Sequence, residues 1–208
     1  MRDDAAVTSW ALAARDGDPI AVEEFVRATR LDVRRYVAHL SGDPQTVDDL
    51  VQDTYLRALR SLPRFEGRSS ARTWLLVIAR RVVADRIRWL TTRPRISGTE
   101  DWQAAAERNQ PCDVPGFEES VALGELLAAL PATRREAFVL TQLLGLTYPE
   151  AATVAQCPVG TIRSRVARAR ETLIAQLTSD EEQPAAPEPA EAARNGVPHA
   201  PAMAVAVA

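Results

Sequence analysis

Between Cys157 and Leu173 the apolar residues Ile162, Val166, Ala169 and Leu173 recur at intervals of four, three and four. At about 100° per residue they form one narrow stripe, a spacing that suits a helix and not a strand. Ser164, Ala167, Arg168 and Glu171 fall opposite, with Arg163, Arg165 and Arg170 on the flanks. Pro158 marks the start, because a missing N–H costs nothing in a first helical turn. Upstream, the run LGLTYPEAATVAQ reads as a short helix with Ala151, Ala152 and Val154 turned inward. A tight connection follows at Gln156 and Cys157. Short helix, tight turn, then a helix with small and basic residues outward is a helix-turn-helix pattern, whose second helix suits a major groove. The plainer reading is an Arg-rich surface helix on an ordinary bundle. Gly160, Ser164 and Ala167 favour the groove, since small side chains let a helix approach bases closely.

The same helical period runs through the rest of the chain. Two helices occupy residues 5–40, broken at Gly17-Asp18-Pro19, with Phe25, Val33, Tyr36, Val37 and Leu40 as core candidates. After Gly42-Asp43-Pro44 a third starts at Thr46, with Asp48 and Asp49 in its first turn, where carboxylates favour the helix dipole. The loop PRFEGRSS leads to a long helix beginning near Arg72 and ending before Pro94, with Leu75, Leu76, Ala79, Val83 and Leu90 on one side. Helical period resumes at Val121 with Leu123, Leu126, Leu127 and Leu130, breaks at Pro131 and continues through Phe138, Val139, Leu140 and Leu143. No stretch alternates with period two between turn residues. The expected fold is all-α: two small helical domains, 1–95 and 121–177. An acidic flexible linker is expected at 96–120 and a disordered Pro/Ala-rich tail at 178–208.

Charge is unevenly placed. The net charge is −3, yet residues 57–95 hold eleven Arg against Glu66 and Asp85, and residues 158–177 hold four Arg against Glu171. Two basic stretches on an otherwise acidic chain point to two contacts with a polyanion. All 25 basic residues are Arg, which fits GC-rich coding in so Ala- and Val-rich a chain. Cys112 and Cys157 share no metal-ligand spacing, and His39 and His199 are isolated, so no metal, cofactor or catalytic constellation is expected. No leader or membrane-spanning run is visible, and a cytoplasmic location is expected.

Two further faces carry information. In the third helix Val51, Thr54, Tyr55, Ala58 and Leu62 suit a core, while Asp49, Gln52, Asp53, Leu56 and Arg60 lie opposite. Leu56 is an apolar side chain amid polar neighbours: one exposed Leu is ordinary, but ringed by hydrogen-bonding groups it also suits a protein interface. In the basic helix Trp74, Arg81, Asp85 and Arg88 share a side, with Arg80 beside them. An indole in register with guanidinium groups suits stacking on unpaired bases while Arg holds phosphates. A half-buried core Trp is the alternative, and the two are compatible. The preceding loop, Phe65 to Ser70, is short and polar enough to cup one extruded base.

Three segments, DLVQDTY from Asp49, SARTWL from Ser70 continuing into IARRVVAD, and CPVGTIRSR from Cys157, occur in an order and spacing that resemble the extracytoplasmic-function (ECF) branch of bacterial RNA polymerase sigma factors, nearest an actinobacterial sigma-C type. The resemblance covers about 5–95 and 120–177. It implies sigma domains 2 and 4, the linker substituting for domain 3, and a promoter-specificity subunit that catalyses nothing itself. It places Asp49, Gln52, Asp53, Leu56 and Arg60 on core RNA polymerase, with the β′ clamp and β flap as docking sites. It assigns the single-stranded −10 element to Phe65, Arg68, Ser69, Ser70, Trp74, Arg80, Arg81 and Arg88. The −35 duplex falls to Thr161, Arg163, Ser164, Arg165, Ala167, Arg168 and Arg170. Among the last set, Arg163, Ser164, Ala167 and Arg168 are placed to reach base edges, and Arg165 and Arg170 to hold phosphate. Some relatives carry an aromatic and an Asn where this chain has Ala71 and Arg81, which leaves the captured base open. An anti-sigma partner is a further implication. A stand-alone regulator would explain 121–177 but neither Leu56 nor the Trp-bearing helix; an enzyme or a structural adaptor explains less.

Overall fold

The computed structural model describes residues 3–92 and 117–181, and among these every regular element is helical. Helix α1 spans Asp4–Arg15, α2 Pro19–Ser41, α3 Val47–Ser61 and α4 Ala71–Thr92. The second group comprises α5, Phe117–Ala128, and α6, Ala132–Phe138, which continues as a π turn over Val139–Leu143. Helices α7, Tyr148–Ala155, and α8, Val159–Glu181, complete it. The linker expected at 96–120 falls mostly outside the described residues, and α5 begins at Phe117, four residues before the apolar period. Likewise α8 runs to Glu181, past the expected domain end at 177, and the rest of the expected tail lies outside the described residues.

Local chemistry sets the boundaries. Asp3 and Asp18 cap α1 and α2 by accepting from the second and third backbone N–H groups, with Pro19 in the first turn of α2. Gly42 ends α2 in the left-handed region at φ 69°, where a side chain would be strained. In the first bundle α2 packs against α1, α3 and α4, and Phe25, Val33, Tyr36, Val37, Leu75 and Leu76 are buried at its centre. Of the expected core residues there, Leu40 is half-buried and Leu90 is 54% exposed, because the end of α4 projects past its neighbours. In the second bundle Leu127, Leu130, Val139 and Leu140 meet the stripe Ile162, Val166, Ala169 and Leu173, all buried; Leu123 is exposed instead.

The two bundles pack directly on each other, chiefly through α4 against α7. This seam determines what each functional surface presents.

Candidate nucleic-acid and protein interfaces

Helix α7 opens with a capping box: Thr147 Oγ1 accepts from the Glu150 N–H at 3.4 Å, and Glu150 Oε2 accepts from the Thr147 N–H at 3.0 Å. It closes at Gln156, a non-glycine residue held left-handed at φ 53°, which turns the chain sharply into α8. Because the apolar stripe of α8 is buried, the opposite face is presented outward. Arg163, Ser164, Ala167, Arg168 and Arg170 are exposed, and Thr161 is half-buried. The Arg163 guanidinium lies 6.0 Å from the Tyr148 ring centre, a cation–π contact between the two helices. Arg165 is half-buried and donates to Cys157 Sγ at 3.6 Å, while Arg170 donates to Gln142 Oε1 at 2.7 Å. The two Arg expected on phosphate are thus tied to the body; of the four residues expected at base edges, Ser164, Ala167 and Arg168 are exposed, and Arg163 is exposed but rests over the Tyr148 ring.

On the first bundle, Ser70 caps α4 by accepting from the Thr73 N–H at 3.1 Å. Before it, Gly67 at φ +70° allows the loop to fold over, and Arg68 and Glu66 form an ion pair at its tip. Arg64, Phe65, Glu66, Arg68, Ser69 and Trp74 line an open cleft of about 220 Å³. Phe65 is buried and stacks at 4.9 Å and 41° on the half-buried Trp74. Trp74 therefore serves the packing, as the core reading expects, and its remaining face also walls the cleft. Arg81 and Arg88 are exposed along the same helix, with Arg57 bridging to Asp85 at 2.6 Å. The hydrogen bond to Asp85 is the main reason the Arg57 pKa is raised.

On α3, Asp49, Gln52, Leu56 and Arg60 are exposed and Asp53 is half-buried, paired with Arg57 at 3.0 Å. Leu56 is 46% exposed and Leu59 37%. They flank a groove of about 590 Å³ whose rim carries Arg30, Arg34, Asp48 and Gln52. An apolar floor inside a polar rim is the anatomy of a protein-docking site. Beneath it Tyr55 shares a 2.8 Å hydrogen bond with Thr29, and burial pushes its pKa up to about 12.

The seam consumes groups that the sequence left for DNA. Glu136 Oε1 accepts from Tyr36 Oη at 2.9 Å and from Arg80 Nε at 2.7 Å. Glu136 is 7% exposed and Tyr36 fully buried; burial, then the Glu136 charge, raises the Tyr36 pKa well above its usual range. Arg80 Nη1 also reaches Gln156 Oε1 at 3.4 Å. Arg72, itself buried, donates to Asp32 at 2.6 Å and to the Leu144 carbonyl across the seam. Ser70 and Thr73 hydroxyls each lie 3.5 Å from Glu150 Oε1. Burial alone would raise the Glu150 pKa, but hydrogen bonds from Thr147 and Ser70 and the Arg72 charge hold it below its usual value. Ser70 and Arg80, expected on single-stranded DNA, are thus engaged with the second bundle in this arrangement.

The sequence reading missed Glu136, Tyr36, Arg72 and Asp32 as polar anchors. One signal was present: Asp32 falls within the buried face of α2, among Phe25, Thr29, Val33 and Tyr36. A carboxylate on a core face requires a buried cation, and Arg72 supplies it.

An Arg-bearing helix with its apolar stripe buried, a cleft walled by Trp74 beside basic residues, and a separate apolar-floored groove are three distinct surfaces, the first two suited in charge to a polyanion and the third to a protein partner. Comparison with known proteins agrees. The family description Sigma-70 region 2 matches residues 25–91, and Sigma-70, region 4 matches residues 120–173. The chain is 51% identical over 179 residues to the probable RNA polymerase sigma-C factor of Mycobacterium bovis, covering 86% of this chain and 95% of that one. The ECF sigma factor SigC of Mycobacterium tuberculosis matches equally, and EcfG of Rhodopseudomonas palustris is 35% identical over 77% of this chain and 87% of its own. Among solved structures, CnrH in complex with the cytosolic domain of CnrY superposes with a TM-score of 0.64 at 27% identity, covering 84% of this chain and 99% of that one. The sigma factor RpoE of Bartonella quintana, in complex with the anti-sigma factor NepR, gives 0.58 at 27% identity, over 76% and 97%.

The chain belongs to the ECF branch of the sigma-70 family. It is a sigma factor acting in promoter recognition and transcription initiation, with core RNA polymerase and promoter DNA as its partners. Sigma factors are not enzymes, and no group of side chains suited to a metal ion occurs among the described residues. No described helix is long and apolar enough to cross a membrane.

Proposed function

We propose that residues 1–95 dock on the polymerase clamp and capture the −10 element, while residues 121–177 read the −35 duplex, and that the chain itself catalyses nothing. Asp49, Gln52, Asp53, Leu56 and Arg60 carry the docking, with Leu56 as the apolar anchor. The cleft between Phe65, Arg68, Ser69 and Trp74 receives an extruded base, with Arg81 and Arg88 on the adjoining phosphates. Arg163, Ser164, Ala167 and Arg168 meet base edges. The observation that carries this reading is the division of α8, whose apolar stripe is buried and whose opposite face leaves Arg163 and Arg168 exposed. The chain works in the cytoplasm, where the polymerase is. The two structural neighbours are in complex with the cytosolic domain of CnrY and with the anti-sigma factor NepR, and an anti-sigma protein is a partner of this chain too.

Reading both elements requires the bundles to separate. Elements centred near −35 and −10 lie about 25 base pairs apart, roughly 85 Å at 3.4 Å per pair. Helix α4, with 22 residues, is only about 33 Å long, and α7 is seated directly on it. The 24 residues between Thr92 and Phe117 span up to about 80 Å when extended, enough chain for separation. The packed arrangement is therefore a closed state in which Arg80 and Ser70 are withheld. Footprinting of reconstituted holoenzyme with permanganate probing tests this assignment: two protected blocks with unpaired thymines at the downstream one are expected. Protection of one block without strand opening would favour a stand-alone regulator.

A further inference from the structure

Where α2, α4 and α6 meet, the seam forms a mostly apolar pocket of about 180 Å³, open to solvent and lined among others by His39, Val83, Ile87 and Ala132. His39 is half-buried in its wall. The charged groups around it come from all three helices: Arg35 on α2, Arg135 and Glu136 on α6, and Arg80 on α4. Glu136 is already matched by Arg80 at 2.7 Å and by the Tyr36 hydroxyl at 2.9 Å. The imidazole thus lines the pocket together with the Arg80 and Arg135 guanidinium groups, and Oε1 of the nearby carboxylate is already shared by Arg80 and Tyr36.

We propose that His39 makes the seam an acid-sensitive latch: protonating its imidazole adds a positive charge beside Arg35 and Arg135 and drives the bundles apart into the promoter-competent arrangement. This rests on the reading above that the closed state must open. The direction follows from linkage. Burial first, then Arg135 and Arg35, holds the His39 pKa below its usual 6.5 in the closed state. Separation removes Arg135 and exposes the ring, leaving only Arg35 from its own helix, so the open state binds the proton more tightly. Neutral His39 leaves the latch at full strength above about pH 6.5. As pH falls below that value towards the lowered closed-state pKa, the open-to-closed ratio rises by up to about tenfold per pH unit, the limit for one proton.

The test uses the full-length chain. Small-angle scattering gives the radius of gyration between about pH 8 and about pH 5.5, and NMR follows the imidazole signals. The chain has two histidines, so His39→Gln assigns both. The expected result is a compact wild type at the upper pH that expands with one-proton dependence at the lower, and a His39→Gln variant whose dimensions no longer follow pH in this window. Glu136→Ala serves as the open control at about pH 8. Expansion that persists unchanged in His39→Gln would overturn the proposal. So would a wild type that stays compact throughout while Glu136→Ala expands, which leaves the closed state standing. A wild type already expanded at both ends would overturn the closed-state reading and the proposal together.

Discussion

Replacing Glu136 with Ala tests the seam at its most exacting point. In the closed state the substitution leaves the buried Tyr36 hydroxyl without its acceptor at 2.9 Å and removes the 2.7 Å partner of Arg80. An unsatisfied buried hydroxyl costs about 1–3 kcal/mol. Breaking a fully buried ion pair costs roughly 3–5 kcal/mol, but the Arg80 side chain is 30% exposed against 9% for Glu136, so water recovers much of that term. A net penalty on the order of 2–3 kcal/mol falls chiefly on the closed state, because separation of the bundles returns Glu136 and Arg80 to solvent. At about 1.4 kcal/mol per decade this shifts the population roughly 30- to 140-fold towards the open form. The assays are scattering for overall dimensions and fluorescence anisotropy with a single-stranded −10 oligonucleotide for exposure of Arg80. Expansion and tighter oligonucleotide binding, with helicity by circular dichroism unchanged, are expected. Wild-type dimensions and affinity in a folded variant would refute the argument that Glu136 holds the bundles together.

Other substitutions separate the remaining surfaces. Leu56→Asp should leave the fold intact, since the side chain is 46% exposed, yet abolish co-purification with core polymerase; retained binding would remove α3 from the docking surface. Trp74→Ala should abolish strand opening while duplex binding at −35 persists, and loss of the 4.9 Å contact with Phe65 should also lower the melting temperature. Arg168→Ala should relax preference at one −35 position by about 1–3 kcal/mol, read by binding to a panel of single-base variants; uniform weakening would place Arg168 on phosphate. Tyr55, with its pKa raised to about 12, contributes stability that is fully present below its ordinary value near 10 and is lost as pH rises through about 12. Alkaline unfolding followed by circular dichroism should therefore begin later in Tyr55→Phe than in wild type.

Much of this organisation was legible in the sequence, for reasons that can be named. The stripe Ile162, Val166, Ala169 and Leu173 is buried because its period matches the helix, and burying it necessarily exposes Arg163 and Arg168. The same logic placed Leu56 outward and Tyr55 inward on α3. Leu90, near the end of α4, and Leu123, in the middle of α5, share those periods but are exposed, and periodicity alone does not say where packing stops. The π turn at Val139–Leu143 leaves no compositional mark; it is defined by the Leu144 N–H donating to the Val139 carbonyl at 2.9 Å. The seam was the least legible feature. Tyr36 and Glu136 are one hundred residues apart, and a Glu following two Arg on a short helix reads as solvated until a second bundle covers it. Arg80 shows the consequence: its charge suits nucleic acid, and its partner in the closed state is Glu136.

Run-off transcription by reconstituted core polymerase on promoters randomised at both elements tests the bipartite assignment most directly. The account predicts transcription that depends on this protein and enriches two separate elements at fixed spacing, with Arg168→Ala altering only the upstream one and Trp74→Ala reducing output from all. Enrichment of one element alone, or transcription indifferent to both substitutions, would contradict it.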